Sequence, residues 1–187
     1  MAVGITHSNE YPTYYITFTC YRWIPLFEIT QGYDLVYRWF HYLRDKQSTQ
    51  VVAYVIMPNH FHGILHVGKE DFNLNTMISE AKRFMAYDLL KRLRQLHDRQ
   101  LLGLLEAGVS PLERGKGQIH KVFERSFDAK PIYTQPFFEQ KLNYIHRNPV
   151  QEHWQLVEDY TDYEHSSASY YERQEVKHFE PTHYLDL

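Results

Sequence analysis

The feature that most constrains this chain is a pair of apolar runs separated by a Pro-Asn step. Val51–Met57 (VVAYVIM) is short, rich in β-formers and nearly free of polar residues, which reads as a buried strand. Pro58-Asn59 marks a turn, and Phe61–Val67 (FHGILHV) reads as the returning strand of an antiparallel hairpin. Around this hairpin the other elements follow in order. Tyr14–Tyr21 (YYITFTCY) alternates in the manner of a strand. Thr30–Lys46 carries Leu35, Val36, Trp39, Phe40 and Leu43 at helical spacing, with Thr30 as the expected N-cap. A long helix is predicted from about Leu74 to Gln100, with Ile78, Ala81, Met85, Leu89 and Leu93 on its apolar face. Gly103, Gly108, Pro111, Gly115 and Gly117 predict a loop or insertion over 101–120. Val122–Ile132 is short and irregular. A helix is predicted at Gln135–Arg147, with Pro136 in its first turn and Asn148-Pro149 ending it. The expectation is an α+β, ferredoxin-like fold: a small antiparallel sheet, helices on one face, and the second hairpin strand in a central position.

Length and composition narrow the setting. The 187 residues suit a single domain spanning 1–187, with an acidic, weakly periodic C-terminal extension over 152–187. The lone cysteine, Cys20, excludes an internal disulfide and any cysteine-based zinc cluster, and it fits a reducing cytoplasm. MAVGITHSNEYPTYY has no charged start followed by an apolar core, so no secretory signal is expected, and no apolar run is long enough for a membrane helix. The formal net charge is −3, but the charge is uneven. Residues 82–130 hold 11 Lys/Arg against 6 Asp/Glu, whereas residues 152–187 hold 2 against 9. A basic face can steer a phosphate backbone, although charge alone favours the plainer reading of solvated helix surfaces. The chain has 16 Tyr and 11 Phe; aromatics serve cores first and also stack on unpaired bases.

Two constellations could carry chemistry. In His60-Phe61-His62 the imidazoles share one face of the strand and Phe61 takes the other. Two imidazoles about 7 Å apart along a strand can converge on one divalent metal. The plainer reading is two surface histidines, but the pair opens a strand directly after a turn, where a site can be open. His66 keeps the same parity yet lies about 13 Å further along, too far for the same metal, and is read as structural. On the predicted helix, Gln140, Tyr144 and Asn148 share one face. Tyrosine can act as a covalent nucleophile, but its ordinary pKa near 10 means that it needs help to attack a phosphodiester. The plainer reading is an amphipathic helix whose Tyr packs on the core.

Taken together, these segments resemble a family. VVAYVIMPNHFHGILHV at 51–67 looks like the HUH strand of single-tyrosine transposases, and FFEQKLNYIHRNPV at 137–150 looks like their catalytic-tyrosine helix. The pairing of MPNHFH with YIHRNP is particularly similar to the REP-associated tyrosine transposases. YTDYEHSSASYY at 160–171 resembles their usual ending, in which a Tyr/Trp-Ser-Ser-x-x-x-Tyr pattern follows the helix. The resemblance spans most of residues 11–171 and implies a metal-dependent endonuclease and strand transferase. It implies His60 and His62 as metal ligands, Tyr144 as nucleophile, and Asn148 as a third ligand, directly or through water. His146 lies in the motif but out of helical phase with Tyr144. The implied cofactor is Mg²⁺ or Mn²⁺, and the implied partner is single-stranded DNA that folds into a palindromic hairpin, with no membrane involved. Candidate phosphate contacts are Lys82, Arg83, Lys91, Arg92 and Arg94 on the long helix, and Lys121, Arg125 and Lys130 before the Tyr helix. Relatives include dimers and monomers, so the resemblance allows a homodimer. The rival readings are an HUH nickase of replication or conjugation, a non-catalytic nucleic-acid-binding relative, and a purely structural ferredoxin-like module.

Overall fold

The structure is a computed structural model and describes residues 12–69 and 72–187. The N-terminal stretch inspected above for a leader lies largely outside the described residues. The elements run β1 (Thr13–Thr19), α1 (Leu26–Ile29), α2 (Tyr33–Gln47), β2 (Thr49–Ile56), β3 (His60–Val67), α3 (Leu74–Gln95), α4 (Arg99–Ala107), α5 (Pro111–Gly115), β4 (Asp128–Pro131), α6 (Gln135–Arg147) and α7 (Ala168–Arg173). The four strands form one sheet in the order β2-β3-β1-β4, antiparallel throughout. The predicted hairpin is present, with Ile56 opposite Phe61, and β3 is central as expected. The short β4 pairs Ala129 with Ile16 and completes the ferredoxin-like βαββαβ order.

Alternation along the strands splits the molecule into two layers. Tyr14, Ile16, Phe18, Tyr54, Ile56, Phe61 and Leu65 face α2 and α3, and the core there is strongly aromatic. Phe61 lies 5.6 Å from Trp39 and 5.8 Å from Phe40, centroid to centroid. A methyl on Gly63 would come within 2.4 Å of the Phe61 ring, so this β3 position is reserved for glycine by packing. Tyr15, Val55, Met57 and Ile64 face the other way, toward Phe138 and Ile145 of α6. The helices expected on one face are there, and α6 adds a layer on the second face that pattern reading did not assign.

The acidic extension has a definite task. It runs along the exposed edge of β2, where the His165 carbonyl accepts from Ile56 N–H at 2.9 Å and Ser167 N–H donates to the Tyr54 carbonyl at 3.0 Å. Ser167 Oγ accepts from Tyr54 N–H at 3.0 Å, and the Tyr171 hydroxyl donates to the Val52 carbonyl at 2.9 Å. An open strand edge is thereby covered.

Three local expectations are corrected. Thr30 does not open the second helix; it closes α1, its hydroxyl donating to the Leu26 carbonyl at 2.6 Å, and α2 starts after Gly32. The long helix stops at Gln95, and the chain turns through His97, whose φ is 57°. The 101–120 stretch is largely helical instead of a loop. Asp98 caps α4, and Ser110 with Glu113 forms a capping box on α5 with Pro111 in its first turn. Among the described residues no helix is long and apolar enough to cross a membrane.

Candidate active site

His60 and His62 open β3 at the end of the sheet where β1 finishes, paired with Thr19 and Thr17. Their side chains point away from Phe61, toward α6, and their ring centroids are 4.7 Å apart. Both are nearly fully buried, at 3% and 6% exposure. Burial pulls the His60 imidazole down to about 4; the neighbouring Asn148 amide opposes this and His153 adds to it. His62 is held well below the usual histidine range by burial, then by His60 and Lys141. Both rings are therefore neutral at pH 7, the state in which imidazole ligates a metal.

Neighbouring side chains fix these rings. His60 Nδ1–H donates to Asn59 Oδ1 at 2.6 Å, which leaves Nε2 with a free lone pair. The same Asn59 amide donates from Nδ2 to the Trp23 carbonyl at 2.8 Å. His62 Nδ1 lies 2.8 Å from the Tyr15 hydroxyl, and ligation through Nε2 requires Nδ1 to be the donor. Burial, then Tyr144 and Asp128, push the Tyr15 phenol above its ordinary range, so it stays neutral.

Helix α6 brings the tyrosine. Thr134 caps its start and Pro136 sits in its first turn, as the sequence predicts. The Tyr144 ring is 5.3 Å from His62 and 6.3 Å from Tyr15, yet it remains 40% exposed and open to a ligand. One turn on, Asn148 is 2% exposed. Its Oδ1 makes no well-formed hydrogen bond, the one such buried side-chain polar atom among the described residues, although it lies near enough to the His60 ring to favour that imidazole's protonated form. An orphaned buried acceptor costs about 1–3 kcal/mol and calls for an explanation. Near the His60 ring, it could add an oxygen to the two imidazole nitrogens, a combination whose chemistry suits a divalent ion such as Mn²⁺. No cluster of three or more His, Cys, Asp or Glu that could hold a metal ion exists among the described residues.

Other motif residues are structural. His146 points away from Tyr144; its Nε2 lies 2.9 Å from Ser167 Oγ, tying α6 to the tail along β2. His66 Nδ1 pairs with the Thr13 hydroxyl at 2.9 Å. Lys141 is an addition that charge pattern alone did not single out. Its ammonium sits 4.7 Å from the Tyr15 ring centroid and 5.7 Å from that of Tyr144.

The predicted phosphate contacts divide. Arg83, Arg94 and Arg125 line a cleft of about 490 Å³ between α3 and the segment after α5, joined there by Lys116 and His120. Lys82 reaches the same cleft but is 9% exposed and donates to the carbonyls of Glu124, Arg125 and Ser126, so its role is to hold that segment. Arg92 is engaged with Asp34 at 2.7 Å and with the Gln31 carbonyl. Lys121 pairs with Glu113 at 3.5 Å, and Lys130 with Asp128 at 3.7 Å. Lys91 is exposed on α3, outside the cleft.

The fold so assembled is that of a known transposase. A solved REP-associated tyrosine transposase bound to a REP hairpin superposes with a TM-score of 0.65, covering 97% of this chain and 93% of that one at 15% sequence identity. By sequence, an uncharacterised protein of Haemophilus influenzae (strain Rd) is 27% identical over 122 residues, 62% of this chain and 61% of that protein. The chain thus spans about three fifths of the length of the curated relative it matches. No protein-family model matches the chain.

Proposed function

We propose that this chain is a single-tyrosine DNA strand transferase of the transposase type, which nicks and rejoins single-stranded, hairpin-forming DNA. The observation that carries the reading is the convergence of exposed Tyr144, buried His60 and His62, and the orphaned Oδ1 of Asn148 at one end of the sheet. His60 and His62 through Nε2, and Asn148 through Oδ1, would hold Mg²⁺ or Mn²⁺, which when bound would neutralise and polarise the scissile phosphate.

The chain's own residues do the rest. The Tyr144 oxygen bonds to phosphorus as its phenolic proton passes to solvent water; the P–O3′ bond breaks and the 3′ oxygen takes up a proton from solvent to leave as a hydroxyl. Lys141, its ammonium 5.7 Å from the Tyr144 ring centroid, is placed to meet the incoming phosphate. The strand's 5′ phosphate remains as an ester on Tyr144, so attack by a different 3′ hydroxyl rejoins the strand without ATP. Tyr15 and Asn59 hold the two imidazoles in orientation. The hairpin bound by the transposase of the same fold supports DNA as the substrate.

The test is a cleavage assay on a pool of single-stranded DNA hairpins. The expected result is a nick that needs Mn²⁺ or Mg²⁺ and disappears with EDTA. Intact strands, despite measured metal and DNA binding, would instead make the chain a non-catalytic nucleic-acid-binding relative.

A further inference from the structure

The turn that follows β1 carries an aromatic side chain in an unusual position. Seven non-glycine residues among the described ones have positive φ, and of these only Arg22 (53°) and Trp23 (59°) are neighbours in the chain. Left-handed backbone is costly for residues with a Cβ, and it persists only where the surroundings enforce it. Here they do. Asn59 Nδ2 grips the Trp23 carbonyl at 2.8 Å, and Glu124 Oε1 accepts from Arg22 N–H at 3.0 Å. Lys82 in turn anchors the carbonyls of residues 124–126 from below.

The outcome is an indole left 59% exposed, with its ring centroid 5.5 Å from that of His60. Arg22, also exposed, precedes it in the chain and carries its guanidinium over the Tyr21 ring, 5.7 Å from the centroid. The Asn59 side chain that orients His60 is the one that holds the Trp23 backbone, so the ring is positioned relative to the candidate metal ligands by a single amide. A fixed, solvent-facing aromatic next to a cation is the composition of a single-strand nucleic-acid subsite: the ring stacks on a base and the cation meets the adjoining phosphate. A paired base inside a duplex has its faces covered by its neighbours, so such a platform suits an unpaired one.

We infer that Trp23 is the stacking platform for an unpaired nucleobase beside the scissile phosphate, with Arg22 as its phosphate partner. The inference rests on the DNA reading above and adds a base-holding subsite to it. It calls for a binding measurement that needs no catalysis: fluorescence anisotropy in EDTA at low salt, using a short oligothymidylate and an abasic strand of the same length. Trp23→Ala weakens binding of the oligothymidylate by about 5- to 100-fold. Trp23→Phe restores most of that loss, and both variants bind the abasic strand as the wild type does. Trp23→Gly, which suits the positive φ, gives the same selective loss with an undiminished melting temperature, so misfolding cannot imitate the effect. Equal losses on the two strands, or no loss on the oligothymidylate, overturn the stacking site. Failure of the wild-type protein to bind either strand overturns the DNA reading together with it.

Discussion

The two faces of the sheet are built from the same strands and have opposite characters. Toward α2 and α3, the β1 and β3 residues are Phe18, Phe61 and their like, and every ring finds apolar company. Toward α6, the same strands present Tyr15, His60 and His62, and the apolar contacts there are fewer and interleaved with polar groups. Phe61 sits between the two histidines in the chain, so one strand supports the dry layer and the polar centre residue by residue. The difference teaches where stability and chemistry are divided: the aromatic face holds β3 rigid, and the α6 face uses that rigidity to keep two neutral imidazoles, a free amide oxygen and a phenol in position.

The sharpest way to break this division is to alter the α6 face without touching the fold. Tyr144→Phe is expected to reduce DNA cleavage by roughly 10³-fold or more, as loss of a nucleophile does, with no change in thermal melting. Gel-based cleavage alongside a melting curve checks both halves, and a large fall in melting temperature would mean that the hydroxyl serves the fold instead. The mirror experiment is Phe61→Ala on the dry face, which should cost about 3–5 kcal/mol in urea unfolding. A loss near zero would show that the aromatic layer is not what holds β3.

Acid sharpens the comparison further. Burial brings the His146 imidazole down to about 3 in the folded chain, against about 6.5 when unfolded. The unfolded state therefore binds the extra proton first. The contribution is fully present above about pH 6.5, shrinks as pH falls toward 3, and amounts to a few kcal/mol across that span. His146→Gln, which keeps a donor toward Ser167, should flatten part of the decline in urea midpoint between neutral and acid pH; an unchanged slope would exclude His146 as a source. The smallest effect falls on Asn59→Ala, which leaves both proposed ligands in place but frees the His60 ring. Mn²⁺ affinity, read by calorimetry, should weaken by about 10- to 100-fold. Wild-type affinity would mean that the His60 tautomer is fixed by something else.

Much of the centre was legible because its signals are local. The His-x-His parity on a strand after a turn, and the i, i+4 relation of Tyr144 and Asn148, follow from the periods of strand and helix. Tyr15 and Lys141 were not legible, because their roles depend on which strands pair and on which face α6 lands. Asn59 was read as turn punctuation, and its two side-chain hydrogen bonds depend on where Trp23 and His60 come to lie. The engagement of Lys82 was not legible for the converse reason: the carbonyls that occupy it come from residues more than forty positions away. The glycines of 101–120 suggested a loop, but Gly103 lies mid-helix with nothing within 4 Å of an added methyl, and Pro111 favours a helix start once Ser110 caps it. The four-residue β4 is too short to carry a period and exists through its pairing with β1.

The most direct test of the central claim is peptide mapping of the protein after reaction with a cleavable hairpin and Mn²⁺. The account predicts a DNA 5′-phosphate esterified to Tyr144 and to no other tyrosine, absent when EDTA is added. An adduct on a different residue, or strand cleavage with no covalent adduct trapped at any point of the reaction, would contradict it.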